Sequence, residues 1–295
     1  PVECHKGPWW DLLVSPAILV QLAGYAKVTA SDIIEASWGM YRGYSSVDEI
    51  KFSKTEWLKN RVSVLGRRNQ LQKLKTSTIR IGSEVIEASP SARNIGAVFD
   101  STMSMKEQVQ ATCRACYCHL RNIGKVRHNL TQDATINLVH AFIASKIDHM
   151  NCLLYGIPKY LVKKLQNIQN NSARIVSRCG RRDHITPILS NLHWLPVSKR
   201  LEFKIILMTF KSLHGLAPGY IRDLITPYQP HRHLRSLNLS LLRKPKSRTA
   251  SYGDRSFAVA SPSLWNKLPL PIRQIEDLEC FKTELNTHLF REAFQ

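Results

Sequence analysis

The chain has 295 residues, with 42 Lys and Arg against 22 Asp and Glu, a formal charge of +20 at neutral pH. Its 43% hydrophobic and 22% charged residues supply enough apolar material for a core, which excludes wholesale disorder. A positive field of that size favours polyanions, nucleic acid first and anionic membrane surfaces second.

No apolar run reaches the roughly 18 residues a bilayer crossing requires. The longest, residues 12–26, is broken by Pro16, Gln21 and Gly24, so no membrane partner is expected. Glu3 and Asp11 stand where a secretory leader would be basic and then purely apolar. Seven cysteines, an odd number without framework spacing, fit reduced thiols, so the protein is expected inside the cell, in nucleus or cytoplasm. Beginning on Pro1 rather than methionine, the chain is expected to be a fragment.

Residues 1–50 form an acidic head. Lys6, Lys27 and Arg42 face Glu3, Asp11, Asp32, Glu35, Asp48 and Glu49, a net of −3, and three of the six tryptophans lie here. Helices are expected at 16–27 and 31–40, with Ser31 capping the second. In residues 51–102, the runs 78–81 and 84–87 alternate around Gly82 and Ser83, a hairpin pattern, and residues 92–100 read as a further small β-unit.

Residues 103–182 read as helices. Ser104 and Glu107 have capping-box spacing, and Val109, Cys113, Cys116, Leu120 and Ile123 step along one face of the helix that follows. That spacing sets both thiols toward a core, where cysteine behaves as a small hydrophobe. A zinc site needs a second ligand pair, and none follows, so no metal is expected. Thr131 caps the next helix, with Leu138, Val139, Phe142 and Ile143 as its buried face. Asp148 beside His149 hints at acid–base chemistry, but no nucleophile stands in a recognisable context, and capping or core pairing is the stronger expectation. Ile157 and Pro158 open a helix whose stripe is Leu161, Leu165, Ile168, Ser172, Ile175 and Val176. Away from it stand Lys163, Lys164, Arg174, Arg178, Arg181 and Arg182, with no acid between residues 159 and 182. Such a face either lies along a phosphate backbone or is simply solvated.

Residues 183–295 are expected to form a further helical domain. Thr186 and Pro187 suit the start of a short helix through Leu192. Trp194 and Pro196 make a corner, and Ser198 is the cap candidate for a long helix. Its apolar residues Leu201, Phe203, Ile205, Ile206, Leu207, Met208, Phe210 and Leu213 cover most of the circumference, which marks it as the centre of a core. Arg200, Lys204 and Lys211 share one narrow sector of it. Gly215 suits the left-handed position that stops it, and Pro218 starts the next turn. Residues 228–250 read as extended chain bearing His231, Arg232, His233, Arg235, Arg243, Lys244, Lys246 and Arg248 and no acid, a phosphate clamp that can order on binding. Leu278, Phe281, Leu285 and Leu289 pack the last helix. The fold class is therefore mainly α, a helical bundle with a small β-hairpin or sheet near residues 62–100.

The run HITPILSNLHWLPVSKRLEFKIILMTFKSLHGLAPGYIRDL, residues 184–224, closely resembles the C-terminal region of LINE-type, non-LTR retrotransposon reverse transcriptases of the chicken-repeat and jockey-like groups. Residues 54–56 (Lys-Thr-Glu) before the apolar strand 62–66, and the blocks 251–257 and 262–269, resemble the same family. Residues 92–100 resemble the strand pair where its palm meets its thumb and grips the primer end. The resemblance spans residues 54–295. It implies a palm edge over 51–102, thumb-like helices over 103–182 and a C-terminal helical domain over 183–295, parts that clamp the template–primer duplex and help hold the element's RNA. The family's polymerase chemistry uses palm carboxylates, including an aspartate pair, to hold Mg2+ ions. No two aspartates are adjacent in this sequence.

The expectation is a truncated relative that binds RNA, RNA–DNA or DNA duplex, with no polymerase centre or cofactor of its own. Backbone contacts fall to Lys163, Lys164, Arg174, Arg178, Arg181, Arg182, Arg200, Lys204, Arg243, Lys244, Lys246 and Arg248. Two alternatives stay open: a helical interaction or scaffold protein made by fusing the head to this body, and a decayed reading frame with no selected function.

Overall fold

Two tight hairpins precede the helices. The computed structural model describes Gly66 and residues 68–73, 78–81, 84–94, 96–229, 240–247, 249 and 252–295. The acidic head and Arg248 lie outside the described residues. After a single turn α1 (Arg68–Leu71), β1 (Thr78–Ile81) pairs antiparallel with β2 (Glu84–Glu87), Thr78 opposite Glu87 and Ile81 opposite Glu84, around the two-residue connection expected from the alternation. β3 (Ser91–Asn94) pairs likewise with β4 (Ala97–Asp100). Gly96 turns between them at φ +78°, and a Cβ there would meet His149 Nε2 at 3.1 Å, so glycine suits both backbone and space.

The remainder is helical: α2 (Lys106–Val126), α3 (Gln132–Val139), a π turn (His140–Ala144), α4 (Ser145–Asp148), α5 (Lys159–Ser177), α6 (Ile185–Asn191), α7 (Val197–Leu213), α8 (Gly219–Arg222), α9 (Phe257–Trp265), α10 (Leu270–Arg273) and α11 (Leu278–Phe294). Among the described residues no helix is long and apolar enough to cross a membrane.

The start of α2 departs from the sequence pattern. Met105, in the left-handed region at φ 60°, is the residue before the helix and makes no side-chain cap bond, while the Ser104 hydroxyl accepts from the Lys106 N–H at 3.4 Å without the reciprocal bond of a capping box. The carboxylate of Asp100, at the end of β4, organises the turn that leads into the helix. Asp100 Oδ2 accepts from the Thr102 hydroxyl (2.6 Å) and the Ser104 N–H (2.9 Å), and Oδ1 from the Met105 N–H (2.9 Å). Met103 and Met105 are both buried in left-handed geometry that costs about 1–2 kcal/mol per residue. The Asp100 bonds offset that strain. Burial raises the Asp100 carboxyl, but these hydrogen bonds outweigh it and hold the group below its ordinary value.

Other starts also moved. α6 begins at Ile185 after His184, with Thr186 and Pro187 inside the first turn, where a missing N–H still costs no helical bond. Pro196, rather than Ser198, precedes α7. Thr131 does cap α3, accepting from the Ala134 N–H at 3.2 Å. Within the same helix the π turn shifts the phase. Val139, Ile143 and Ile147 stay in the core, while Phe142 is turned out to 45% exposure and stacks on His119 at 5.2 Å.

One apolar core runs from Ala97 and Phe99 through Leu120, Leu161 and Phe210 to Leu289, so the segments on either side of residue 182 share it. α7 lies at its centre, packed against α5, α8, α9, α11 and the 3-10 turn Asn151–Leu154. Leu201, Ile205, Ile206, Leu207 and Phe210 are buried, and Leu213 at its end is exposed. Phe210 stacks on Phe281 of α11 at 4.1 Å, and each fully buried ring of this kind contributes about 1.5–3 kcal/mol. The Thr209 and Ser261 hydroxyls meet at 2.7 Å where α7 touches α9, each satisfying the other away from water. Gln166 accepts from the Val197 N–H and Gln169 donates to the Leu195 carbonyl, both at 2.8 Å, which sets the corner at Trp194.

Arg255, just before α9, ties that segment to the turn before α2 and to the 3-10 turn Asn151–Leu154. Its guanidinium donates to the carbonyls of Tyr155 (3.1 Å), Met103 (3.1 Å) and Leu153 (3.2 Å), while the Tyr252 hydroxyl donates to Thr102 O at 2.6 Å. Gly156, at φ +70°, leaves room for this arginine: a Cβ there would lie 2.5 Å from Arg255 Cγ.

Candidate nucleic-acid interface

α2 and α5 pack side by side and run in the same direction. Near their beginnings, burial raises the Cys113 thiol of α2, and the Lys164 ammonium of α5 offsets part of that rise. Near their ends, Arg127 crosses from just beyond α2 to the last carbonyls of α5. Its Nε donates to Ile175 O and its Nη2 to Val176 O, both at 2.8 Å, and Nη1 to Leu130 O at 2.7 Å. The apolar stripes on each helix explain the pairing: Val109, Cys116, Leu120 and Ile123 on α2, and Leu161, Leu165, Ile168, Ser172 and Val176 on α5, are all buried. Cys113 packs at the edge of the same core, and burial raises the Cys116 thiol to about 11, the value of an inert structural cysteine.

The shared end of this pair gathers cations. α5 stops at Arg178, whose backbone is left-handed and whose guanidinium donates to Arg127 O at 3.4 Å. A tight turn follows: the Asp183 N–H donates to Gly180 O at 3.4 Å, and Asp183 Oδ2 accepts from the Gly180 N–H at 2.6 Å. Arg174 braces it from within α5, donating to Gly180 O and Asp183 O at 3.3 Å each. Arg181 and Arg182 are the two central residues of this turn, and both are exposed. A braced turn with two solvent-facing guanidiniums offers planar, bidentate donors to phosphate without having to be ordered first.

The twelve cations expected from sequence do not converge on one place. Arg178, Arg181 and Arg182 stand together at this end, beside Arg127 and Lys125. Lys163 and Lys164 are exposed on the first half of α5, about 22 Å away along the axis from Arg178. Arg174 serves the turn. Arg200 pairs with the Asp148 carboxylate, which also accepts from the Asn151 amide at 3.4 Å. Burial raises the Asp148 carboxyl, and Arg200 offsets part of that rise. Lys204 is half-buried; burial pushes its ammonium down, against the pull of Cys152 and Asp148. Arg243, Lys244 and Lys246 are exposed on a separate strand-like segment, where Leu242 bridges Pro227 and exchanges two 2.9 Å hydrogen bonds with the Asn266 amide.

Residues 103–182 carry thirteen Lys and Arg against three Asp and Glu. Ion pairs seen among the described residues engage Lys199 with Glu202 and Glu292, Arg200 with Asp148, and Lys282 with Glu279, none of them at the α2–α5 end. Among the described residues no group of three or more His, Cys, Asp or Glu is placed to hold a metal ion. Sequence reasoning missed Arg127, whose only signal is its place just past an amphipathic helix, and the charged outer face of α2, whose signal is a 3-4 spacing that flanks the apolar stripe. No family model, curated protein or solved structure matches this chain.

Proposed function

We propose that this chain is a nucleic-acid grip: a relative of the thumb and following helical region of non-LTR retrotransposon reverse transcriptases, which holds the sugar–phosphate backbone of RNA, of an RNA–DNA hybrid or of DNA duplex. It acts in nucleus or cytoplasm and contains no polymerase centre. The observation that carries this reading is the gathering of Lys125, Arg127, Arg178, Arg181 and Arg182 at the common end of α2 and α5, with the two turn arginines exposed and no carboxylate ion pair among them. Structural needs at that site are met by Arg127, Arg174 and Arg178, so the guanidiniums of Arg181 and Arg182 are surplus to folding. The resemblance of residues 54–295 supplies the nucleic acid class.

Titrating the 295-residue chain with single-stranded RNA, RNA–DNA hybrid and duplex DNA across salt concentrations tests the proposal. The log–log plot is expected to fall by about 0.7 per phosphate contact on single strands and about 0.9 on duplex DNA. An affinity that stays flat between low and physiological salt rejects it. Primer extension with magnesium or manganese is expected to yield no product, and extension would overturn the absence of a polymerase centre.

A further inference from the structure

The outer face of α2 carries one stripe that folding does not explain. Arg114, Tyr117, Arg121 and Gly124 follow one another at steps of three, four and three residues, the spacing that keeps side chains on one face of a helix, and His128 lies just beyond them in the 3-10 turn Arg127–Asn129. All five are exposed, with Tyr117 at 42%. The stripe flanks the buried one and is absent from the hydrogen bonds that fix α2 to its neighbours.

Gly124 is its odd member. Glycine within a helix is destabilising relative to alanine, and the usual reason for keeping one is a close neighbour. Here a Cβ at Gly124 would meet no heavy atom within 4 Å, and the backbone is not in the left-handed region. The protein gains nothing structural from leaving that position bare. A ligand that comes close to the helix backbone would.

We infer that this stripe is a track for an RNA strand, on which Tyr117 stacks against a base or ribose, Arg114 and Arg121 hold phosphates on either side of it, and Gly124 lets the sugar–phosphate chain approach α2 closely on its way to His128. From Arg114 to His128 the stripe spans about 21 Å, the length of roughly six stacked nucleotides at 3.4 Å each. It ends beside Arg127, and thus leads into the cationic end of the α2–α5 pair. An exposed aromatic between two arginines matches sequence-tolerant single-strand binding, in which stacking needs only a π face and the arginines need only phosphate. The inference rests on the nucleic-acid reading above and adds to it the surface and the strand.

Gly124→Ala and Tyr117→Ala in the full chain test it, with melting temperature and affinity for a 12-nucleotide RNA read on the same samples. Gly124→Ala is expected to raise the melting temperature by about 2–4 °C while weakening RNA binding about threefold to tenfold. Tyr117→Ala is expected to weaken binding about tenfold, and Tyr117→Phe to recover most of that loss. Gly124→Ala that stabilises and binds as the native chain does, or that destabilises because the glycine has a packing role, overturns the track. If Arg181→Ala with Arg182→Ala weakens binding but neither stripe variant does, the track fails and the nucleic-acid reading stands. If the native chain shows no salt-dependent binding to RNA, both fail. Equal losses on RNA–DNA hybrid and single strand would place the duplex, not a lone strand, on α2 and overturn the assignment of the strand.

Discussion

Two regions of this molecule use arginine in opposite ways. Around the 3-10 turn Asn151–Leu154 the guanidiniums face inward: Arg255 closes on three backbone carbonyls and Arg200 on the Asp148 carboxylate, and both serve as struts between distant parts of the chain. At the end of α5 they face outward. Arg181 and Arg182 are held by a turn that needs neither of their side chains. The difference separates charge that stabilises the fold from charge that remains available to a polyanion, a division net charge alone does not reveal.

Substitution should break the comparison first at its inward side. Arg255→Ala leaves three part-buried carbonyls without a donor and is expected to cost about 3 kcal/mol or more, read as a fall in the urea midpoint. Arg255→Lys should recover little, because one ammonium cannot reach three carbonyls at the angles a planar guanidinium spans. RNA affinity per folded molecule should be unchanged in either.

Acid sharpens the same side. The folded Asp100 carboxyl lies below its unfolded value, so its contribution is fully present above the unfolded value and is lost as pH falls through the folded one. Stability is expected to decline below about pH 4. Asp100→Asn should cost about 2 kcal/mol at neutral pH and flatten that part of the acid profile. An unchanged profile would mean that another carboxylate carries it.

The outward side should respond in the reverse sense. Replacing Arg181 and Arg182 together by alanine is expected to leave stability within about 0.5 kcal/mol and to lower the salt slope on single-stranded RNA by about 1.4. A stability loss comparable to that of Arg255→Ala would show that the turn is a strut after all.

Period and turn chemistry made much of this fold legible in the sequence. The alternation around Gly82 and Ser83 marked the first hairpin, the 3.6 period marked α2, α5 and α7, and the breadth of the apolar surface on α7 marked the centre of the core. Helix beginnings were less legible, because the groups that satisfy them come from outside the local window. Asp100 stands five residues before Met105, and a Ser-x-x-Glu spacing two residues away looked sufficient. Phe142 was misplaced because a π turn alters the phase without leaving a mark in composition. For the cations, the sequence told where charge accumulates along the chain. Whether a guanidinium ends on a carbonyl or in water depends on which backbone lies opposite, and the partners of Arg127 and Arg255, Leu130 apart, are 48 to 152 residues away. The stripe on α2 was readable in principle, since its 3-4 spacing is as regular as that of the apolar face it flanks.

The parallel course of α2 and α5 sets an electrostatic problem that Arg127 answers. Two helix C-termini lying together present the negative poles of two macrodipoles, each equivalent to roughly half an elementary charge, and an approaching phosphate would ordinarily be repelled there. Arg127 covers the terminal carbonyls of α5 with its own N–H groups, and Arg178, Arg181 and Arg182 add positive charge beside it. The pole that would otherwise turn anions away is thereby covered by positive charge. Removing that one guanidinium would subtract a positive charge and also uncover the negative rim beneath it.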